Sequence, residues 1–310
     1  MLHSPVSDSA PTRCHVVVPT HTTRHLAACL GSLAAQSRLP ASIVVTCDTD
    51  DPAIGELLES IPSASGGGIA RIIHARRAHT GTPRLNQVRN NGLRALDATV
   101  ALAEDDIIVL LDGDTMLGEG ALEHHAAAGA RGAELIIPFR VNLSRTTTAG
   151  LGTGPITPAQ LRELVTAWDE AALRRRQRRY ERQLLVRRLL PEWTRLVKGH
   201  KPKVLGGHHG VSVRILRAVN GYDELYTGYG YDDDDLTRRM YRLRPRVRVA
   251  VVVRECLSLH LWHASRAPQR PTDAPGYERF RRTDLPTAAQ FGWSTPSDQP
   301  PVEVRVIGRA

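Results

Sequence analysis

Over the first 115 residues, short unbroken apolar runs alternate with stretches in which apolar positions recur every three or four residues. The runs HVVVP (15–19), SIVVTC (42–47), RIIHA (71–75) and DIIVLLDGD (106–114) predict strands. Between them the 3.6-residue period predicts helices over 23–36, 52–60 and about 84–97. Strands that are apolar at nearly every position suit a sheet buried on both faces. The alternation therefore predicts an α/β fold, Rossmann-like, with a mainly parallel sheet covered by helices on both sides. Ligands bind such sheets beyond the carboxyl ends of the strands. His21 and Arg24, Asp48, and Asp112 with Asp114 all fall at such ends.

The second half is patterned differently. ELIIPFRVNLS (134–144) reads as strand, 145–157 as a Gly/Thr-rich loop, and 158 to about 197 as a long helical stretch interrupted near Pro191. Residues 203–263 end on the strand-like ECLSLHLWH. The tail, 264–310, is rich in proline and polar residues and is expected to be loosely ordered. No internal repeat recurs at a fixed period.

With 41% hydrophobic and 24% charged residues, the 310-residue chain has the composition of a globular protein. Its net charge of +9 favours anionic partners such as nucleotides, phospholipid headgroups or acidic glycans. Cys14, Cys29, Cys47 and Cys256 lie far apart, so neither a zinc site nor a disulfide framework is signalled. A cytoplasmic location is the expectation. The first residues lack an apolar leader pattern, and IIVLL (107–111) is far too short to span a bilayer.

Three stretches carry chemistry. LLDGDT places Asp112 and Asp114 two residues apart after a fully apolar strand, so both carboxylates can face one cation. A lone D-x-D is most often an Asp-Gly turn; its place at the sheet's carboxyl edge favours a metal–diphosphate site. SLHLWHAS adds His260 and His263, and imidazole with carboxylate suits Mn²⁺. GYGYDDDDL (228–236) stacks Asp232, Asp233, Asp234 and Asp235 before a basic helical stretch. One or two acids suffice to cap a helix. The surplus points to a cation, or to a proton to be removed.

Read whole, KVLGGHHGVSVRILRAVNGYDELYTGYGYDDDDL resembles the acceptor-side segment of GT-A-fold glycosyltransferases. The likeness is to the β-1,4-galactosyltransferase-like C-terminal region and to bacterial family 2 enzymes. Gly206-Gly207, Arg214, NGYDE (220–224) and GYGYDDDDL follow that family's order and spacing. CHVVVPTH, SIVVTCDTDD and RLNQVRNNGL are similar to its nucleotide-sugar half. The resemblance implies a flexible N-terminus over 1–13, a glycosyltransferase domain over 14–263 and a Pro-rich tail over 264–310. Within the domain it implies a nucleotide-sugar half (14–144), a helical insertion (158–198) carrying the long basic helix, and an acceptor and catalytic half (203–263).

The same resemblance implies roles. Asp233 matches the catalytic base, Asp232 its acidic neighbour, and Asp234 a further acid on the acceptor side. Asp114 and His263 match the metal ligands, with Asp112 near the ribose and diphosphate and counted with the metal site. Pro19, Thr20, His21, Arg24 and Asp48 would surround the nucleotide, and Arg84, Arg89 and Asn90 its phosphates and sugar. Gly206, Gly207, Tyr229, Asp232 and Asp234 would line the acceptor. His21 stands where the family has an aromatic, Cys47 where it has an aspartate, and Tyr231 where it has a glycine; HHG adds bulk after Gly206-Gly207.

The implied reaction is metal-dependent, inverting transfer of a hexose from a nucleoside diphosphate sugar, a UDP-sugar for preference, to a saccharide or glycoconjugate hydroxyl. Mn²⁺ or Mg²⁺ is the implied cofactor. Crowding by Asp232 and Asp234 should raise the proton affinity of Asp233 and improve it as a base. A nucleotidyltransferase would need a Gly-rich loop where PTHTTRHL has no glycine. A catalytically silent polyanion-binding protein would have no use for Asp114, Asp233 and His263 together. The arginine-rich stretch 173–190 stays open between a solvated surface helix, a helix on an anionic membrane, and a cover for an anionic acceptor; nucleic acid is the weakest partner.

Overall fold

The computed structural model describes residues 12–64, 71–82, 84–190, 194, 196–204, 206–228, 230–264, 269–298 and 302–308. Nearly all of the 1–13 segment, and Tyr229, lie outside them. In chain order the first half comprises β1 (Cys14–Thr20), α1 (Leu26–Ala34), β2 (Ser42–Asp48), α2 (Ala53–Ala64), β3 (Arg71–Arg77), α3 (Leu85–Thr99) and β4 (Ile107–Leu111). Next come β5 (Thr115–Leu117), α4 (Ala121–Ala130), β6 (Leu135–Ile137), β7 (Phe139–Asn142), α5 (Arg145–Gly150), α6 (Pro158–Thr166) and α7 (Glu170–Leu189). The rest are β8 (His208–Ser212), α8 (Val213–Ala218), α9 (Asp232–Arg242), β9 (Val249–Val251), β10 (Leu257–His260), α10 (Tyr277–Arg281) and β11 (Val302–Gly308).

The main sheet has the order β11-β3-β2-β1-β4-β8-β6-β9. Its centre, β3-β2-β1-β4, is parallel, as the apolar runs predict. β8 joins antiparallel to both β4 and β6, while β9 runs parallel to β6. The two-residue period of the strands sorts the core into two layers. Val17, Val44, Ile73 and Ile108 face one side, and Val16, Val18, Ile43, Val45 and Val109 the other. A second, three-stranded sheet, β5-β10-β7, stands at the carboxyl edge of the first.

α3 lies unusually close to the main sheet. A Cβ on its Gly92 would come within 2.6 Å of Val17 and 2.9 Å of Thr46, so only glycine allows this approach. That closeness brings Arg89, one turn earlier, to the carboxyl ends of β1 and β4.

Two expectations change. The stretch 158–197 is not one helix: α6 and α7 are separate, α6 opened by a capping box at Thr157 and α7 capped by Asp169, whose carboxylate accepts from the Ala171 amide at 2.8 Å. The tail is not loose over its described part. β11 pairs antiparallel with the whole of β3, and Trp293 is buried. The strand does alternate, Val302, Val304 and Val306 with Glu303 and Arg305, but it is a short edge strand in a proline-rich stretch, and Val304 and Val306 stay 41% and 46% exposed.

Candidate active site

Asp114 belongs to the turn between β4 and β5. The Thr115 amide donates to the Asp112 carbonyl at 2.9 Å, and the Gly113 amide to the Pro19 carbonyl at 3.0 Å, tying the turn to the end of β1. Antiparallel pairing of β5 with β10 sets Thr115 opposite His260, and the Leu261 amide donates to the Asp114 carbonyl at 2.8 Å. The Asp114 carboxylate therefore meets two imidazoles, His260 Nε2 at 3.5 Å and His263 Nε2 at 3.1 Å. One donor atom from each of the three lies within 4.8 Å of the others. Burial pushes the Asp114 carboxyl up, but the His260 hydrogen bond and both imidazoles outweigh it and hold it below the usual range. Asp112 turns elsewhere: it accepts from Arg89 Nη2 at 3.3 Å, and burial with the nearby Asp114 raises its pKa.

The four aspartates open α9 and divide four tasks among themselves. Tyr231, at φ 68°, lets the chain turn sharply into the helix. Asp232 accepts from Arg89 Nη1 at 2.6 Å. Asp233 lies 3.8 Å from the same guanidinium and within 3.5 Å of the Tyr222 hydroxyl, which in turn meets His209 Nε2 at 3.1 Å. Asp234 is held by Lys203 Nζ at 2.8 Å and faces His200 at 3.5 Å and Lys201 at 4.0 Å. Asp235 is structural: buried, it accepts from Arg238 at 2.8 Å and Arg239 at 2.7 Å. Of the first three, Asp233 has the weakest compensation. Burial, then the charges of Asp232 and Asp112, push its carboxyl up to about 7, against the pull of Arg89 and Lys203.

Gly206 and Gly207 are the floor of this cleft. A Cβ on Gly206 would fall 2.5 Å from Asp233 Oδ2, and Gly207 has φ +94° with a Cβ position 3.3 Å from Asp112 Oδ2. The Gly207 carbonyl accepts from the Asp112 amide at 3.1 Å, and the Gly206 carbonyl from Arg140 Nη1 at 2.5 Å. Arg89 is buried, with its guanidinium 4.6 Å above the Tyr222 ring. It is the link between the D-x-D turn and the aspartate run.

At the carboxyl ends of β1 and β2, Pro19 and Thr20 close β1, His21 and Arg24 follow it, and Asp48 ends β2. Asp48 lies 3.8 Å from Arg77 and 3.9 Å from His79. Asp48 Oδ2, two Arg77 nitrogens and Arg84 Nε are buried without a hydrogen-bond partner among the described residues. Polar atoms left so are costly and suit a polar ligand. Arg84 also ion-pairs with Asp298 of the tail. Asn90 is fully buried and holds the Tyr222 carbonyl at 2.8 Å and Glu224 at 3.0 Å, so it braces the cleft wall rather than lining it. Arg77, Arg140, Lys203 and His200 have places in the site that sequence reasoning did not assign. The KPK triplet (201–203), ahead of Gly206-Gly207, was the available signal for Lys203.

A family model described as the N-terminal domain of galactosyltransferase matches residues 194–257, the segment that holds Gly206-Gly207 and the aspartate run. No curated protein matches the chain. Among solved structures, GalNAc-T7 with UDP, GalNAc and Mn²⁺ aligns with a TM-score of 0.54 at 13% identity, over 88% of this chain and 48% of that one. The mannosyltransferase PcManGT from Pyrobaculum calidifontis, in complex with GDP-Man and Mn²⁺, aligns with a TM-score of 0.49 at 15% identity, over 88% and 62%. TarS 1-349 from S. aureus aligns with a TM-score of 0.46 at 14% identity, over 77% and 58%. The chain thus spans about half the length of GalNAc-T7. Its fold is the GT-A fold of glycosyltransferases, with a galactosyltransferase-like segment at 194–257, as the order of motifs implies.

Proposed function

We propose that this chain is a metal-dependent, inverting glycosyltransferase of the family 2 type, moving a hexose from a UDP-sugar to a hydroxyl of a saccharide or glycoconjugate. The observation that carries the reading is the single guanidinium of Arg89, which spans Asp112 beside the Asp114–His260–His263 cluster and Asp232 beside Asp233. It ties the neighbour of the three-residue cluster and the neighbour of the high-pKa Asp233 to one group, which supports a reading in which in-line displacement runs between them.

Asp114, His260 and His263 would hold the cation, and their mixed oxygen and nitrogen donors fit Mn²⁺ or a similar ion. When bound there, a divalent cation supplies Lewis-acid stabilisation of the leaving diphosphate. The Asp48, Arg77 and Arg84 atoms that lack a hydrogen bond among the described residues would receive the nucleoside, with Pro19, Thr20, His21 and Arg24 along its edge. Gly206 and Gly207, bare of side chains, let the Asp233 and Asp112 carboxylates approach the backbone beside which the acceptor would lie. Asp233 takes the proton of its hydroxyl as the new bond forms; Asp232 and Asp234, tied to Arg89 and Lys203, orient the neighbouring hydroxyls. With one such carboxylate opposite the leaving group, the anomeric configuration inverts.

Thermal-shift screening of nucleotide-sugars, each with Mn²⁺ and with EDTA, tests the reading. Stabilisation by UDP-hexoses that needs Mn²⁺ supports it. Equal response to UDP-hexoses and to nucleoside triphosphates with sugar 1-phosphates would favour a nucleotidyltransferase instead.

A further inference from the structure

The outward face of α7 has an arrangement that the cleft does not use. Leu173 and Tyr180 are buried and Arg176 stacks 4.8 Å from the Phe139 ring, which fixes the inward side of the helix. Opposite them, Arg178, Arg182, Leu185 and Leu189, spaced by four, three and four residues, form one exposed line. Leu185 and Leu189 are 55% and 68% exposed, and Leu190 and Leu196 just beyond the helix are 37% and 68% exposed. Arg178, Arg179, Arg182 and Arg188 have no acidic partner among the described residues. Arg246 adds charge at the helix's C-terminal end, donating to the Arg187 and Arg188 carbonyls at 3.4 and 3.3 Å.

Scattered exposed leucines are ordinary. Leucines in the middle of the solvent face, continuing a line of unpaired arginines, are not. Such a face matches an anionic lipid–water interface, where leucine enters the acyl boundary and guanidinium groups meet phosphates. Nucleic acid would satisfy the arginines and leave the leucines without a partner, and the helix's one aromatic, Tyr180, points inward. Among the described residues, no helix is long and apolar enough to cross a membrane.

We propose that α7 is a docking helix that lies on an anionic bilayer surface with Leu185 and Leu189 inserted. The inference goes beyond the transfer reaction and does not depend on it. It bears on the cleft through one loop: Arg187 donates to the carbonyls of Lys198 at 2.7 Å and Lys201 at 3.0 Å, and Lys203 holds Asp234 beside Asp233. Docking would set the acceptor side of the cleft close to the lipid.

The test is co-sedimentation of the full chain with vesicles of mixed phosphatidylglycerol and phosphatidylcholine, and of phosphatidylcholine alone. Binding should need phosphatidylglycerol and weaken with salt, as the Debye length falls from about 30 Å at 0.01 M to about 8 Å at 0.15 M. Each basic residue near the surface contributes about fivefold, so Arg178→Gln with Arg182→Gln should lower partitioning by at least about tenfold. Leu185→Ser with Leu189→Ser keeps the charge and should lower it comparably. As a check that does not rely on those variants, Leu189→Trp fluorescence should be quenched by brominated lipid in phosphatidylglycerol vesicles. Absence of pelleting at every salt overturns the proposal. So does pelleting that ignores the leucine changes, with no quenching of Leu189→Trp and equal affinity for duplex DNA, which would make the face a polyanion site.

Discussion

Asp112, at the end of β4, and Asp232, in the first turn of α9, are bound by the two terminal nitrogens of one guanidinium, that of Arg89, at 3.3 and 2.6 Å. The two carboxylates are 120 positions apart in sequence and belong to the two halves of the fold. Arg89 is buried, so the charge balance of the cleft rests on a group that water cannot replace. Removing one partner of a buried ion pair costs about 3–5 kcal/mol. Arg89→Met should therefore destabilise the protein by roughly that much, read from the shift in denaturation midpoint at constant m. Arg89→Lys keeps the charge but loses the fork and should fall in between. A change within about 0.5 kcal/mol for Arg89→Met would mean that the three carboxylates find other compensation.

Asp233→Asn is nearly isosteric and cannot accept a proton. Transfer should fall by roughly two to four orders of magnitude, with nucleotide affinity nearly unchanged. Asp234→Asn should be milder, because that carboxylate is occupied by Lys203. An active Asp233→Asn beside a dead Asp234→Asn would move the base by one position.

The same residue sets a pH dependence. Its folded-state pKa, about 7, lies above the ordinary carboxylate value, so the base is competent only as pH rises through about 7 and the rate should climb there. For stability the sign is opposite. A raised carboxyl pKa means that the ionised group is disfavoured in the folded state, so stability is lost as pH rises from about 4 to about 7. Asp233→Asn should thus gain stability relative to wild type at pH 8 and little at pH 4, by up to a few kcal/mol. Parallel Tm profiles for the two proteins from pH 4 to 8 would contradict the shift.

Both histidines reach Asp114, at 3.5 and 3.1 Å. His260→Ala and His263→Ala should each weaken Mn²⁺ binding by about tenfold or more in calorimetry with UDP present. A His260→Ala protein with wild-type affinity would leave His263 and Asp114 as the protein's ligands.

Much of this was written in the sequence. The fully apolar runs of β1, β2 and β4 declare strands buried on both faces, and their ends name the cleft. Asp114 meets His263, and Asp232 and Asp233 meet Arg89, which also holds Asp112. What could not be read depends on contacts between distant segments. Lys203 and His200 gain meaning only once the chain before Gly206 folds over α9. Asn90 sits next to Arg89, yet helix geometry turns it into the wall. The tail hides its role in the same way: Trp293 stands in a short segment without helical or strand periodicity, but its backbone pairs with Asn220 and Arg94, locking the C-terminal segment against α3. Trp293→Ala should cost about 3–5 kcal/mol, which a loose tail would not.

The most direct measurement is Mn²⁺-dependent release of UDP from a panel of UDP-hexoses by the wild-type chain, Asp114→Asn and Asp233→Asn, with binding of UDP followed in parallel. Wild type should release UDP from one of these sugars with Mn²⁺ and not with EDTA. Asp114→Asn should lose both release and the Mn²⁺-dependent tightening of UDP binding, whereas Asp233→Asn should lose release and keep the tightening. UDP affinity that is equal in Mn²⁺ and EDTA, with no release from any UDP-hexose by the wild type, would contradict a metal-dependent glycosyltransferase acting through Asp114 and Asp233.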